Sequence, residues 1–293
     1  MALAAVQAAD STRYPDPQYT ALKAALAAYH AVKPWRVVLA GSASEFIFRI
    51  SARVRQARGS RIYVPQHAYG DYVHAAQAWS FKKAGEPDEA DLVWACDPAS
   101  PTGQTHSSWP QSLERSTVVL DSAYAPLRLS GVPALNALQR NAVWQLYSPN
   151  KALGLTGVRA AYVIAPVHAQ EAAVALDAMA PSWVLGAHGV AMLHSWAQSD
   201  TQAWVAQSLA ILRQWKLYQV GALEQAGWTV IPSDANFFCA RPPDGRDLAT
   251  LLVTLRTHGI KLRDTTSFGL PGWVRLGVLP PRAVDALLQA CIS

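Results

Sequence analysis

Short apolar runs alternate with helical patterns along the first two thirds of the chain. A helix is predicted at Tyr19–Tyr29, where Leu22, Leu26 and Tyr29 share one face, and another begins at Ser42. The runs that predict strands are Arg36–Gly41, Arg61–Pro65, Asp91–Cys96, Thr117–Asp121, Ala142–Tyr147 and Arg159–Ala165. This alternation is typical of a mainly parallel sheet that is covered by helices on both faces.

The pattern changes after Ser182, where one long helix precedes short strands and an amphipathic helix. The predicted elements are Ala203–Gln225, Trp228–Pro232, Asn236–Ala240, Asp247–His258 and Trp273–Gly277. We therefore predict an α/β protein with a large domain at 34–200, in which helices sandwich the sheet. A smaller C-terminal α/β domain is expected at 201–293, with residues 1–33 packing on it.

Composition narrows the class of protein. The chain has 293 residues, of which 51% are apolar and 15% charged, so it can bury a sizeable core. Its apolar residues are dispersed, and neither a membrane span nor a signal peptide is expected. Three widely spaced cysteines (Cys96, Cys239 and Cys291) argue against a disulfide framework and against a zinc or other metal site. A cytoplasmic protein is the simplest interpretation.

The net charge of +5 raises the question of a nucleic-acid partner. The basic residues are scattered, however, and Lys82-Lys83 is the only local doublet. We therefore expect no nucleic-acid binding, and we expect part of the positive charge to serve phosphate and carboxylate ligands.

Polar residues stand at the ends of several predicted strands. They occur at Gly41–Ser44, Pro65–His67, Asp97–Gly103, Asp121 and Ser148–Lys151. Ligands of open parallel sheets bind at the carboxyl ends of the strands, so one crevice is expected to collect these residues.

Two residues of this set and one that follows it in the sequence suggest chemistry. Asp121 ends an apolar strand, and a carboxylate buried there is expected to need a cationic partner. Lys151 can act as an amine nucleophile, and Arg159 offers a planar fork that suits phosphate. Taken singly, Asp121 also fits a helix cap, and either cation fits a solvated surface. Their order and spacing together favour a site.

Three motifs carry a resemblance to a known family. Ser148–Arg159 reads SPNKALGLTGVR, which is similar to S-x-S-K-x-x-G-L-x-G-x-R, and Asp121 begins a D-x-A-Y pattern. Arg263–Arg275 is nearly as specific. On these residues the chain resembles the fold-type-I pyridoxal-phosphate enzymes of the class I and II aminotransferases. It is similar in particular to histidinol-phosphate aminotransferases and to threonine-phosphate decarboxylases, and the resemblance implies the PLP-dependent transferase fold.

The resemblance implies three catalytic roles. Lys151 is implied to hold pyridoxal 5'-phosphate as a Schiff base and to move the proton at the substrate Cα. Asp121 is implied to pair with the pyridine nitrogen of the cofactor. Tyr124 is implied to hydrogen-bond its phenolic oxygen. Ser100 stands where the family has an asparagine that donates to the same oxygen, and the shorter serine is expected to donate through water or not at all.

The resemblance also implies the remaining contacts to the cofactor. The groups implied to bind its phosphate are Ser148, Asn150, Arg159, the backbone amides of Ala43, Ser44 and Glu45, and Tyr14 from a neighbouring subunit. His67 is implied to stack on the ring, with Tyr69 as the reserve candidate. The shared role of Tyr14 implies a homodimer.

The substrates are implied to be an amino donor and a keto acid. Arg275 is implied to grip the substrate α-carboxylate. Arg263 either contacts a substrate phosphate or is a plain surface arginine.

The sequence differs from the family pattern at two residues and in the segment before Tyr14. Ser100 stands in Ser100–Gly103 where the family has the asparagine of N-P-T-G, and Asn150 replaces a serine. Only thirteen residues precede Tyr14, where relatives carry an arm over the site. Three functions therefore stay open: an aminotransferase for an amino acid or amino-alcohol phosphate, a threonine-phosphate-decarboxylase-like lyase, and a cofactor-binding protein with degraded catalysis. A nicotinamide enzyme is disfavoured because no G-x-G-x-x-G follows the early strand.

Overall fold

The computed structural model of the chain describes residues 1–243 and 247–292. Its strands are β1 (Val37–Ala40), β2 (Arg61–Tyr63), β3 (Lys82–Lys83), β4 (Leu92–Cys96), β5 (Thr117–Asp121), β6 (Trp144–Tyr147), β7 (Ala161–Ile164), β8 (Thr229–Val230), β9 (Phe237–Arg241), β10 (Arg263–Asp264) and β11 (Val274–Gly277). Its α-helices are α1 (Ala2–Gln7), α2 (Thr20–Tyr29), α3 (Ala43–Gln56), α4 (Gly70–Ala78), α5 (Ala137–Arg140), α6 (Gln170–Ala178), α7 (Ala187–Trp196), α8 (Ser199–Gln225), α9 (Leu248–Thr257) and α10 (Pro281–Ile292).

The large sheet contains all six runs that the hydrophobic pattern predicted as strands. Within the described residues its seven strands follow the order β1-β7-β6-β5-β4-β2-β3. The neighbours from β6 to β3 are parallel, whereas β7 runs antiparallel to both β1 and β6. The expected fold class, a mainly parallel sheet between helices, is confirmed.

Helices cover both faces of this sheet because its strands are apolar on both sides. Every residue of β1, β4 and β7 is buried. On one face Phe46 of α3, Tyr72 of α4 and Leu176 of α6 pack on the sheet. On the other face α1, α2 and α7 form a second core. Such two-sided burial is what a continuous apolar strand requires.

The N-terminal helices lie on the large sheet and not on the small domain, so the expectation for residues 1–33 is wrong. Leu22 and Leu26 of α2 share a core with Leu39 of β1 and Leu193 of α7. Val6 of α1 belongs to the same core. The apolar face of α2 was visible in the sequence, but its spacing does not say which surface the face covers.

The C-terminal part forms a separate antiparallel sheet with its own core. Its strand order is β10-β11-β9-β8, and all of these pairs are antiparallel. The long helix α8 joins the two units, since Val205 packs in the core of α7 and Leu223 packs with Phe238 of β9. A boundary near residue 200 stays a prediction, because α8 belongs to both cores.

No helix in the described ranges is both long enough and apolar enough to span a membrane.

Candidate active site

Strand direction explains why distant parts of the sequence meet at one edge of the sheet. The strands β1, β5 and β6 run the same way and end at this edge. Because β7 runs the opposite way, Arg159, which lies two residues before its start, is at the same edge. The carboxyl end of β1 leads into Ser42 and α3, and that of β6 leads into Lys151.

Asp121 is the last residue of β5, and the residue is only 5% exposed. Its Oδ2 accepts a hydrogen bond from the Tyr72 hydroxyl at 2.6 Å, and its Oδ1 accepts one from the Ala123 amide at 2.9 Å. The sequence predicted a cationic partner, but Asp121 forms no ion pair within residues 1–243 and 247–292. Tyr72 was missed, since only its place three residues after Tyr69 on one helix hinted at the site.

Lys151 lies in the turn that follows β6. Its Nζ donates to Ser148 Oγ at 3.3 Å and lies 5.6 Å from the centroid of the Tyr124 ring. In the described part of the chain no carboxylate forms an ion pair with it. The amine is therefore placed to react with a ligand carbonyl rather than tied in an ion pair.

Two buried side chains, Ser148 and Asn150, form hydrogen bonds that stabilise the turn that carries Lys151. Ser148 Oγ donates to Asn150 Oδ1 at 2.9 Å, and Asn150 Nδ2 donates to the Val158 carbonyl at 3.4 Å. Both side chains are buried. These bonds tie Lys151 to the segment that carries Arg159, while direct phosphate contacts from Ser148 and Asn150 stay predictions.

The start of α3, the anion end, has the features of an anion-binding site. Ser42 caps the helix, since its Oγ accepts from the Glu45 amide at 3.1 Å. The amides of Ala43 and Ser44 head the first turn, where backbone N–H groups have no partner within the helix. Arg159 is exposed and forms no ion pair among the described residues.

The Glu45 side chain turns away from this anion end. Its carboxylate binds Arg49, with 3.0 Å between Arg49 Nε and Glu45 Oε1, and it also accepts from the Gly41 amide at 3.2 Å. Burial raises the pKa of Glu45, and Arg49 opposes that shift. Because its amide already serves the cap, a phosphate contact from the Glu45 backbone stays a prediction.

Tyr69 and His67 lie in different surroundings. The Tyr69 hydroxyl is 3.2 Å from Ser44 Oγ, and its ring meets the Tyr72 ring edge-on at 5.9 Å. Burial raises the pKa of Tyr69, while the positive charge of Arg159 acts the other way. His67 Nδ1 instead lies 2.8 Å from the Phe268 carbonyl in the small domain. Tyr69 is thus the aromatic residue that borders both Ser44 and Tyr72.

Arg275 of β11 reaches the site from the small domain. Its NH1 donates to Ser100 Oγ at 3.1 Å, and its guanidinium lies 5.2 Å from the centroid of the Phe237 ring. That ring packs edge-on against Tyr124 at 4.6 Å. Burial raises the pKa of Tyr124, and the neighbouring Arg275 charge opposes the rise. Tyr124 therefore stays a neutral phenol beside a cation.

Arg263 pairs directly with Arg275 across the β10–β11 ladder. Both guanidiniums lie over the Phe268 ring, at 5.5 Å for Arg263 and 5.9 Å for Arg275. Arg263 also donates to Ser267 Oγ at 3.2 Å. Neither arginine forms an ion pair within the described ranges. Like charges in directly opposed positions are unfavourable, so this pair is suited to an anionic ligand.

Tyr14 lies on the outside of the single chain and is 76% exposed. Its ring stacks on Trp183 at 4.3 Å, and Trp183 Nε1 donates to the Pro15 carbonyl at 3.1 Å. Trp183 has a φ of 48°, a left-handed conformation that is rare for a bulky residue. The segment that carries Tyr14 is thus fixed to the large domain.

The charges left unpaired in the site fit pyridoxal phosphate. Asp121 is a buried carboxylate that complements a protonated ring nitrogen, and Lys151 is an amine that can attach an aldehyde. Arg159 and the start of α3 suit a phosphate. Arg275 is a further cation without an ion pair among the described residues, and it suits a carboxylate. Within the described chain, no group of three or more His, Cys, Asp or Glu side chains could hold a metal ion.

This fold matches that of the pyridoxal-phosphate-dependent transferases, and the site has groups that suit such a cofactor. More specifically, the chain belongs to the class I and II aminotransferase family, whose model matches residues 80–291. The identification made from the motifs is confirmed, as is pyridoxal phosphate as the cofactor of the family. Amino and keto acids are accordingly its class of substrate.

Similar proteins carry related names. Histidinol-phosphate aminotransferase 1 of Thiobacillus denitrificans is 29% identical over 94% of this chain and 77% of its own length. The crystal structure of histidinol-phosphate aminotransferase from Sinorhizobium meliloti, in complex with pyridoxal-5'-phosphate, has a TM-score of 0.80. It is 20% identical and covers 99% of this chain and 85% of its own. L-Threonine-O-3-phosphate decarboxylase from Porphyromonas gingivalis has a TM-score of 0.75 at 19% identity, and covers 98% and 90% of the two chains.

Proposed function

We propose that this chain is a pyridoxal-phosphate-dependent aminotransferase that moves an amino group between an amino acid or amino-alcohol phosphate and a keto acid. The observation that carries the proposal is that Lys151, which has no ion-pair partner among the described residues, and the buried Asp121 follow the neighbouring parallel strands β6 and β5 at one sheet edge. When bound, the cofactor supplies an aldehyde carbon for attachment and a ring that withdraws electrons from the substrate Cα.

The residues of the chain supply attachment, orientation and proton transfer. Lys151 holds the cofactor and is the base for the proton at Cα; such positioned proton transfer contributes roughly 10²–10⁴-fold to rate. Asp121 holds a proton on the ring nitrogen. Tyr124 donates to the phenolic oxygen of the cofactor, and Arg275 fixes the substrate carboxylate. Tyr69, which borders Ser44 and Tyr72, is favoured over His67 for the face of the ring.

The arginine pair of the small domain, Arg263 and Arg275, supports a phosphorylated substrate. Arg263 and Arg275 oppose each other across one ladder and share the Phe268 ring, so two anionic groups of one substrate can be bound there. Several similar proteins are named histidinol-phosphate aminotransferases. Histidinol phosphate is therefore the first substrate to test.

A decarboxylase is the second candidate function. The fold is also similar to that of the Porphyromonas gingivalis L-threonine-O-3-phosphate decarboxylase. The orientation in which Arg275 would hold the substrate carboxylate would decide between removal of the Cα proton, as in transamination, and loss of carbon dioxide.

Isotope transfer separates these functions. Cofactor-loaded protein is incubated with ¹⁵N-labelled histidinol phosphate and a 2-keto acid, or with L-threonine O-3-phosphate labelled with ¹³C in its carboxyl group. Appearance of ¹⁵N in the amino acid formed from the keto acid supports the aminotransferase. Release of labelled carbon dioxide without ¹⁵N transfer supports the lyase. Neither product, from protein that binds the cofactor through Lys151, would indicate degraded catalysis.

A homodimer with a shared site belongs to the same proposal. Tyr14 is exposed yet held in place by Trp183, which suits a phenol that reaches the cofactor phosphate of a neighbouring subunit. A cytoplasmic location stays a prediction.

A further inference from the structure

Tyr72 occupies a fixed position directly behind the carboxylate of Asp121. It lies in α4 and is completely buried, and its ring stacks on Trp94 with 4.4 Å between centroids and 7° between planes. Its hydroxyl donates to Asp121 Oδ2 at 2.6 Å. The phenol therefore cannot turn away from the carboxylate without breaking the packing of α4 on the sheet.

The surroundings of Asp121 are neutral on the protein side. Tyr72 and the Ala123 amide are its hydrogen-bond donors, and its ladder neighbour on β4 is Cys96, a buried thiol that donates to the Pro98 carbonyl. No ion pair reaches it from any described residue. A buried carboxylate of this kind depends on its hydrogen bonds, because a hydrogen bond to the charged form favours that form.

The Tyr72 proton stays on the phenol. Burial raises the pKa of Tyr72 well above its usual value, and the negative charge of Asp121 raises it further. The hydroxyl is thus a donor, and one carboxylate oxygen is occupied by it.

We propose that Tyr72 is a positioning residue that keeps Asp121 ionised and rotated for the ring nitrogen of the cofactor. This inference rests on the proposed function, in which Asp121 pairs with that nitrogen. With the Tyr72 bond in place, the shared proton resides on the ring nitrogen rather than on the carboxylate. Without this bond the carboxylate becomes the better proton acceptor, and the ring nitrogen loses its positive charge.

The test compares Tyr72→Phe with Tyr162→Phe. Tyr162 is a matched control because it is also fully buried but packs in the separate core of α7. Its hydroxyl accepts a hydrogen bond from Trp196 Nε1 at 3.1 Å and lies 2.8 Å from His30 Nε2. Both variants lose a buried hydroxyl, so similar losses of thermal stability are expected without cofactor. Affinity for pyridoxal phosphate, measured by titration of the cofactor-free protein, is expected to fall about tenfold in Tyr72→Phe, the loss of one charge-assisted hydrogen bond. It is expected to stay within about twofold in Tyr162→Phe.

A second readout follows the proton itself. With cofactor labelled with ¹⁵N in its ring, the nitrogen resonance is expected at the protonated position in the wild type and in Tyr162→Phe. In Tyr72→Phe it is expected to move toward the unprotonated position. Unchanged affinity and an unchanged resonance in Tyr72→Phe would overturn the inference, and a wild type that does not attach the cofactor through Lys151 would overturn the proposed function instead.

If Tyr72→Phe does not fold, 3-fluorotyrosine at position 72 keeps the ring and the hydroxyl. Its more acidic phenol is a stronger donor, so the resonance is expected to stay at the protonated position, as in the wild type. A resonance that moves toward the unprotonated position would contradict the inference.

Discussion

Ser100 illustrates how one substituted side chain changes the contacts of its neighbours. The family pattern has an asparagine at this position, and its amide is implied to reach the cofactor. Here the Ser100 hydroxyl accepts a hydrogen bond from Arg275 at 3.1 Å; Ser100 is buried and Arg275 is partly buried. Ser100 therefore holds the arginine that is proposed to bind the substrate carboxylate.

Replacing Ser100 tests this contact. A hydrogen bond to a charged group contributes about 1.5–3 kcal/mol, so Ser100→Ala is expected to raise KM about tenfold with a smaller change in kcat. Ser267→Ala is the matched control, because Ser267 accepts from Arg263 at 3.2 Å in an exposed setting. Steady-state kinetics with varied amino donor measure both variants. A fall in kcat alone for Ser100→Ala would contradict the assigned role.

The lowered pKa of His30 predicts that the folded protein loses stability in acid. Burial lowers the pKa of His30 from 6.5 to about 4, and Arg140 adds to this shift. The unfolded chain therefore takes up the proton first as the pH falls. The stability that the neutral ring contributes is fully present above pH 6.5 and is lost between pH 6.5 and 4, by at most about 3 kcal/mol.

His30→Gln removes this titration while keeping a side chain that can hydrogen-bond to Tyr162. Urea unfolding at pH 7 and at pH 4.5 is expected to show a smaller pH effect for the variant than for the wild type. Equal losses in the two proteins would contradict a buried neutral ring.

At the scale of elements, the loop after β4 has one position that only glycine fits. Gly103 has a φ of +76°, and a Cβ there would lie 2.0 Å from Ser233 Oγ and 2.9 Å from the Phe237 carbonyl. The loop carries Ser100 and contacts β9, so a shift of Gly103 would also move the Ser100–Arg275 pair.

Gly103→Ala is therefore expected to lower the free energy of unfolding by more than about 1 kcal/mol and to weaken substrate binding. Gly221→Ala is the control, because Gly221 lies in α8 with nothing near the added methyl group. That change is expected to stabilise the protein by roughly 0.5–1 kcal/mol. Equal stability of the two variants would contradict the steric argument.

Sequence patterns predicted elements better than the contacts between them. The strands β4, β5 and β6 were predicted because their apolar runs are continuous, and the meeting of Asp121 with Lys151 followed from the common direction of parallel strands. The strands β3 and β10 have two residues each and no apolar pattern from which they could be predicted. Tyr72 was missed because its partner lies 49 residues away, and packing alone brings the two together.

His67 and Tyr69 are a second case in which the sequence did not predict the contacts that a side chain makes. Both are near the start of α4, and the motif alone placed His67 first. In three dimensions the His67 ring meets the Phe268 carbonyl, whereas Tyr69 meets Ser44. Which of two neighbouring side chains faces a site depends on where α4 begins, and that was not predicted.

For the whole molecule, the proposed dimer makes a prediction that a monomer cannot satisfy. Tyr14→Ala and Lys151→Ala are each expected to lose most activity. When the two variants are mixed and allowed to exchange subunits, each hybrid dimer has one complete site, with Lys151 from one subunit and Tyr14 from the other. Activity is expected to recover to about a quarter of the wild-type value, since about half of the dimers are hybrids. No recovery, with subunit exchange verified by mass, would contradict a shared site.

The proposed covalent bond between Lys151 and the cofactor can be measured directly. The chain is loaded with pyridoxal phosphate, reduced with borohydride and digested, and the peptides are analysed by mass spectrometry. The pyridoxyl group is predicted on the peptide that contains Lys151, and it is predicted to be absent when Lys151→Arg is treated in the same way. A pyridoxyl group on another lysine of the wild type, or one that persists unchanged in the variant, would contradict the assignment.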